Sequence, residues 1–120
     1  MATNKSLVYE KAYTFSIHVI GIYKELRMKQ EYVLSKQLLR CGTSIGANIA
    51  EANGAVSNAD FSAKMSIAYK EALETKYWLS LLKDTDFINE NMYKKLYGKV
   101  DEIGKILFSI LKTTRINNKQ

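Results

Sequence analysis

Apolar residues recur along the chain in steps of four and three. Val8, Ala12, Phe15, Val19, Ile22 and Leu26 make the first such run, which is the stripe of an amphipathic helix. Leu38, Cys41, Ile45, Ile49 and Ala52 make the second. Phe61, Met65, Ala68, Ala72, Thr75, Leu79 and Leu82 make the third, and Met92, Leu96, Val100, Ile103, Leu107 and Ile110 the fourth. No segment alternates with period two for long enough to make a strand. The breaks carry helix-boundary chemistry. Ser35 reads as an N-cap with Leu34 and Leu39 as its hydrophobic staple, and Asn53-Gly54 reads as a stop. Ser57 and Asp60 read as a capping box, and Asn89 as a further cap. The pattern predicts helices over about 5–28, 36–53, 58–84 and 89–115. Short connections make consecutive helices antiparallel, so the expectation is a single all-α domain over 1–120, an up-down-up-down four-helix bundle.

Composition agrees with one small core. The chain has 120 residues, 47% of them hydrophobic, and no proline to interrupt a helix. No apolar run reaches the roughly 20 residues that cross a bilayer, so no membrane partner is expected. The opening "MATNKSLVYEKAYTF" lacks the apolar centre of a signal peptide. The one cysteine, Cys41, falls in an apolar run and reads as a small buried hydrophobe, which suits a reducing cytoplasm. The net charge is +6 and unevenly spread: residues 1–40 and 87–120 each balance at +4, and residues 41–86 at −2. That balance favours polyanionic partners.

Gly42-Thr43-Ser44-Ile45-Gly46 matches the G-x-S-x-G pattern of a hydrolase nucleophile elbow. An elbow needs a strand before its serine, whereas "SKQLLR" precedes this one and continues a helical pattern. The only histidine, His18, sits beside the core stripe of the first helix, where it reads as a partly buried residue hydrogen-bonded at a helix contact. No Gly-Lys-Ser/Thr follows the glycines, which excludes a Walker phosphate loop. Gly42 and Gly46 instead share one helix face, and Ala50 extends the strip. Glycine costs about 1 kcal/mol inside a helix, and close approach of a neighbouring helix offsets that cost. No catalytic residue, cofactor or metal site emerges, and no enzymatic activity is expected. Glu71-x-x-Glu74 is an ordinary helical spacing, and the Glu-x-x-His motifs of di-iron bundles are missing from the sequence.

Other polar positions form two sets. Ser44, Asn48 and Glu51 share a face of the second helix, and Glu71, Glu74 and Thr75 share one of the third. Their meeting, with Asn48 donating to Glu74, predicts a structural polar network that fixes helix register. Tyr69, Tyr77, Trp78, Tyr93 and Tyr97 exceed what a small core needs; they suit either base stacking or a subunit interface, and the off-stripe position of Trp78 favours the interface. At 100° per residue Lys94, Lys105, Lys112 and Lys119 fall within about 20° of one line, opposite the apolar stripe of the fourth helix. Arg115, Arg27, Lys29, Lys36 and Arg40 extend this set. These cations read either as a solvated face or as a track for phosphates.

"SIGANIAEA", followed by "SNADFSAKMSIAYKEALETKYWLSLL", resembles the bacterial four-helix-bundle family encoded in intervening sequences of 23S ribosomal RNA genes. The resemblance covers nearly the whole chain, with Gly46 where proline is common and Ala52 where glycine is common. That family is similar to the accessory protein of diversity-generating retroelements, which implies a ring-shaped homopentamer. The expected function is a non-enzymatic homo-oligomer, with self as partner in a pentamer, that binds nucleic acid, RNA before DNA, through basic helix faces. A protein-interaction scaffold, or an accessory protein recruiting a reverse transcriptase, is the alternative.

Overall fold

The computed structural model describes residues 4–118, with side chains over 7–114. Helix α1 spans Asn4–Met28, α2 Leu34–Asn53, α3 Asn58–Asp84 and α4 Glu90–Asn118. Among the described residues each helix packs on two neighbours, α1 on α2, α2 on α3, α3 on α4 and α4 back on α1, without diagonal contact. The result is an antiparallel four-helix bundle, 51 Å long and 26 by 22 Å across. Its core is built from the four apolar stripes. No residue of the first two is more than 4% exposed, while Phe61 and Met92 lie half-buried at the margins of the third and fourth.

The seams between helices are held differently. Lys11–Glu102 spans α1–α4 at 2.9 Å, Lys64–Glu51 spans α2–α3 at 3.2 Å, and Lys76–Asp101 spans α3–α4 at 2.6 Å. No ion pair crosses α1–α2 among the described residues. There the contact is steric. A Cβ placed on Gly42 would lie 2.9 Å from Val19 Cγ2, and one on Gly46 would lie 3.6 Å from the Ala12 backbone and Cβ. Ala50 does not continue this contact: it is exposed. Each i to i+4 step turns about 40° around a straight helix, so the third member of the strip has rotated out to solvent.

Helix ends account for the chain reversals. Gln30 adopts a left-handed φ of 64°, its N–H donates to Arg27 O at 2.9 Å, and the Glu31 N–H donates to Leu26 O at 2.9 Å. These are the two bonds of a Schellman closure. Asp86, with φ 66°, repeats the arrangement after α3 through bonds to Lys83 O and Leu82 O. Gly54 ends α2 at an ordinary φ of −102°, so the stop does not rest on glycine's conformational freedom. Ser57 caps α3 by accepting from Asp60 N at 3.0 Å, and Asp60 accepts from Val56 N at 3.2 Å. Asn89 Oδ1 accepts from Met92 N at 2.8 Å and caps α4.

The expected cap of α2 is corrected. Ser35 lies inside the helix, fully buried, and its hydroxyl donates to Glu31 O at 2.8 Å. Glu31 supplies the cap instead. Its carboxylate accepts from the N–H groups of Val33 at 3.2 Å, Leu34 at 3.0 Å and Ser35 at 2.6 Å. A glutamate reaching up from the connection satisfies the donors that a short residue at the helix start would otherwise serve.

The two seam glycines predict opposite outcomes. Gly46→Ala has room for its methyl group and gains helix propensity, so it should stabilise the protein by up to about 1 kcal/mol. Gly42→Ala drives its methyl group into Val19, whose branched side chain has one favoured rotamer in a helix, and should destabilise by about 1 kcal/mol or more. Urea denaturation of both variants, and of Gly42→Ala combined with Val19→Ala, checks this: the second change should relieve much of the penalty of the first.

Candidate functional site

The basic residues separate according to whether a carboxylate neutralises them. Lys94 lies 3.9 Å from Glu90, and Lys105 lies 3.2 Å from Asp101, each one helical turn earlier. Asp101 also accepts from Lys76, and the hydrogen bonds from Lys76 and Lys105 hold its carboxyl below the ordinary value. Arg40 faces α3, bonding Glu71 at 3.2 Å and Glu74 more closely. Lys112 is exposed and has no carboxylate partner among the described residues. The Arg115 side chain and Lys119 lie outside the described residues.

A second group collects where α1 hands over to α2. Lys24, Arg27, Lys29 and Lys36 are all exposed there, and none has a carboxylate partner among the described residues. Arg27 Nη1 donates to the Tyr23 hydroxyl at 2.9 Å, and its guanidinium lies 5.6 Å from the ring centroids of both Tyr23 and Tyr32. Lys29 Nζ donates to Phe87 O at 3.0 Å, tying this corner to the α3–α4 connection.

Asp84, Asp86 and Glu90 lie at the same end, around the α3–α4 connection, and the acidic residues of α1 and its connection, Glu31 and Glu25, pair with none of these cations among the described residues. Glu31 is only 9% exposed and its carboxylate is turned onto the α2 backbone. Burial pushes its carboxyl up, but the N–H bonds from Leu34, Ser35 and Val33 outweigh that and hold it below the ordinary carboxylate value. It stays anionic at neutral pH and pairs with none of the neighbouring cations among the described residues. Glu25 lines the groove between α1 and α4 beside Lys95 and Met92. The sequence reading identified Arg27, Lys29 and Lys36 but missed Tyr23, Tyr32 and Glu31. Tyrosines four before and five after Arg27 were the available signal.

The expected polar network does not form. Ser44 Oγ donates to Arg40 O at 2.6 Å, Asn48 Nδ2 to Ser44 O at 2.8 Å, and Thr75 Oγ1 to Glu71 O at 2.7 Å. Each satisfies itself on its own helix, four residues back. Arg40 makes the cross-helix link to Glu71 and Glu74, while Glu51 pairs with Lys64. Trp78 is half-buried and donates to Glu74 Oε2 at 2.9 Å.

Ser44 lies mid-helix in α2 rather than on a turn, so G-x-S-x-G here is no elbow. Cys41 is fully buried, and burial pushes its thiol up to about 11. His18 lines the α1–α4 groove, and burial, then Lys95 and Lys99, lower its pKa. The hydrogen bond expected of it is not made within the described residues. No described helix is long and apolar enough to cross a membrane.

Comparison with known proteins places this geometry. The family model described as "23S rRNA-intervening sequence protein" matches residues 4–109. Among solved structures, the chain is similar to a protein of unknown function from the S23 ribosomal protein family of Bacteroides thetaiotaomicron VPI-5482. Identity is 46%, with 92% of this chain and 99% of that chain covered and a TM-score of 0.90. No curated protein matches the chain.

The Glu31 cap has a pH signature. A carboxyl held below its unfolded value stabilises the fold fully above that unfolded value, and the contribution is lost as pH falls through the folded value. Glu31→Ala should therefore cost about 2 kcal/mol at neutral pH. Glu31→Gln, which keeps one acceptor, should cost less. Denaturation measured across a pH series should show wild type and Glu31→Ala converging in acid.

Proposed function

The chain belongs to the 23S rRNA-intervening sequence protein family, and within it we propose that this protein is a non-enzymatic, homo-oligomeric bundle that binds nucleic acid, RNA before DNA, in the cytoplasm. The observation that carries the binding reading is the cluster of Lys24, Arg27, Lys29 and Lys36, exposed at one corner without carboxylate partners among the described residues. Phosphates release condensed counterions when such cations replace them, which supplies affinity without sequence preference. Lys94, Lys105 and Arg40 contribute less, because a phosphate must compete there with a carboxylate already in place. We therefore favour the α1–α2 corner within the expected basic faces of α1 and α4, with Lys95, Lys99 and Lys112 on α4 as further cations that no carboxylate pairs among the described residues.

Self-association is supported by apolar surface that the bundle leaves uncovered. Tyr13, Ile17 and Ile20 are exposed on α1 opposite its core stripe, with Ile17 57% exposed. Leu73 and Tyr77 on α3 and Phe108 on α4 are exposed on another side. Two separate apolar faces suit a heterologous contact, which closes into a ring when the rotation permits. Five copies is the number that the family resemblance implies. A ring would repeat the basic corner on every protomer and raise affinity by multivalency.

Binding is tested by titrating structured RNA and duplex DNA over a salt series. Combined Arg27→Gln, Lys29→Gln and Lys36→Gln should flatten the slope of log affinity against log salt by roughly one unit per lost contact. Combined Lys94→Gln and Lys105→Gln should change it less. Absence of binding at low salt would end this reading. Native mass spectrometry tests the assembly: wild type should be oligomeric, and Ile17→Asp should shift it towards monomer while the bundle stays helical by circular dichroism.

A further inference from the structure

We propose that the α1–α2 corner takes unpaired nucleotides, one base stacking against Tyr32 and Arg27 while Lys29 and Lys36 hold the flanking phosphates. This rests on the nucleic-acid reading above and names the form of nucleic acid that the same site prefers.

The aromatic–cation arrangements of the bundle differ in what else their cation touches. Lys76 lies 5.4 Å from the Tyr97 ring centroid but is held by Asp101 at 2.6 Å. Lys83 lies 4.6 Å from the Tyr93 centroid but also within 3.6 Å of Asp84 and 3.7 Å of Glu90. Both are structural contacts with their charge already balanced. Arg27 is different: its partners are two rings and one phenol hydroxyl, all neutral. Its full charge and most of its five N–H donors remain available.

Tyr32 is 47% exposed, in the connection just before α2. The Schellman closure at Gln30 and the Glu31 cap on α2 fix the backbone on either side of it. An exposed ring on a fixed backbone, backed by a planar guanidinium, is a stacking surface that loses little entropy when a base settles on it. Lys29 uses one of its three donors on Phe87 O and keeps two for phosphate. Lys36 stands exposed in the first turn of α2 and makes no hydrogen bond or ion pair among the described residues, so its ammonium is open to phosphate.

The form of nucleic acid follows from the ring. In a duplex the base faces are covered by their neighbours, and a surface tyrosine reaches only backbone. A single strand can turn a base outward onto the ring while its backbone follows the lysines. Stacking is indifferent to base identity, so no sequence preference is expected.

The test uses the full chain with labelled oligouridine, oligothymidine and a duplex carrying the same number of phosphates. Tyr32→Ala should weaken binding of both single strands by about ten-fold and leave the duplex nearly unchanged. Tyr32→Phe should behave as wild type, and Arg27→Lys should lose part of the single-strand preference at equal charge. Wild-type binding that Tyr32→Ala leaves untouched, or weakens equally for strand and duplex, would overturn the stacking site while leaving phosphate binding intact. Wild type that binds none of the three would overturn the underlying reading as well. Vesicles of phosphatidylcholine and phosphatidylglycerol form the control arm. Tighter binding there, lost in Tyr32→Ala, would assign the corner to a lipid surface and overturn the proposal.

Discussion

The carboxylate of Glu31 joins the fold of this protein to its surface chemistry. The residues 29–33 must turn the chain back on itself, and the first N–H groups of α2 emerge from that turn without a capping side chain at Val33. Glu31 accepts two of them, from Leu34 and Ser35, and the N–H of Val33 as well. The same orientation engages its carboxylate with backbone, so that it pairs with none of Lys24, Arg27, Lys29 and Lys36 among the described residues. A helix start that needs an anion and a surface that keeps its cations are two consequences of one side-chain orientation. If Glu31 pointed outward, the α2 donors would lose their partner and a carboxylate would be free to pair with these cations.

Much of this was readable along the chain, and what was not has identifiable causes. The four apolar stripes led directly to the core because period 3.6 is a strong signal over five to seven positions. Asn89 and Ser57 cap where short polar residues before a stripe should. Ser35 misled because it has the same position in the pattern, yet a longer side chain four residues earlier reaches the same donors. Sequence spacing does not tell those two solutions apart. Ser44, Asn48 and Thr75 misled for a related reason: shared faces suggest a cross-helix network, but a carbonyl four residues back is nearer. Ala50 shows how small residues four apart drift off a seam.

The candidate surface was legible as a set of cations and illegible as a site. Net charge along the chain placed positive residues at both ends, and the line through Lys94, Lys105 and Lys112 looked the most ordered. Two of those three lysines, Lys94 and Lys105, have a carboxylate one turn earlier. The Glu90–Lys94 and Asp101–Lys105 spacings were visible as i, i+4 pairs, whereas the reach of Arg40 to Glu71 and Glu74 depends on the register between α2 and α3. The aromatic setting of Arg27 depends on how the connection folds back, with Tyr32 beyond the end of α1. The relation to the S23 ribosomal protein family protein carries the bundle across 92% of the chain, and its unknown function leaves the role of the corner to be decided by its own chemistry.

In the function proposed above, the exposed cations of the α1–α2 corner, rather than the most regular line of lysines on α4, take the nucleic acid. Amide chemical-shift mapping of isotope-labelled protein during addition of oligouridine tests it most directly. The perturbed residues should centre on Arg27, Lys29, Tyr32 and Lys36, with Lys105 and its neighbours little affected. Perturbations that instead follow Lys94, Lys105 and Lys112 along α4, leaving the α1–α2 corner silent, would contradict it.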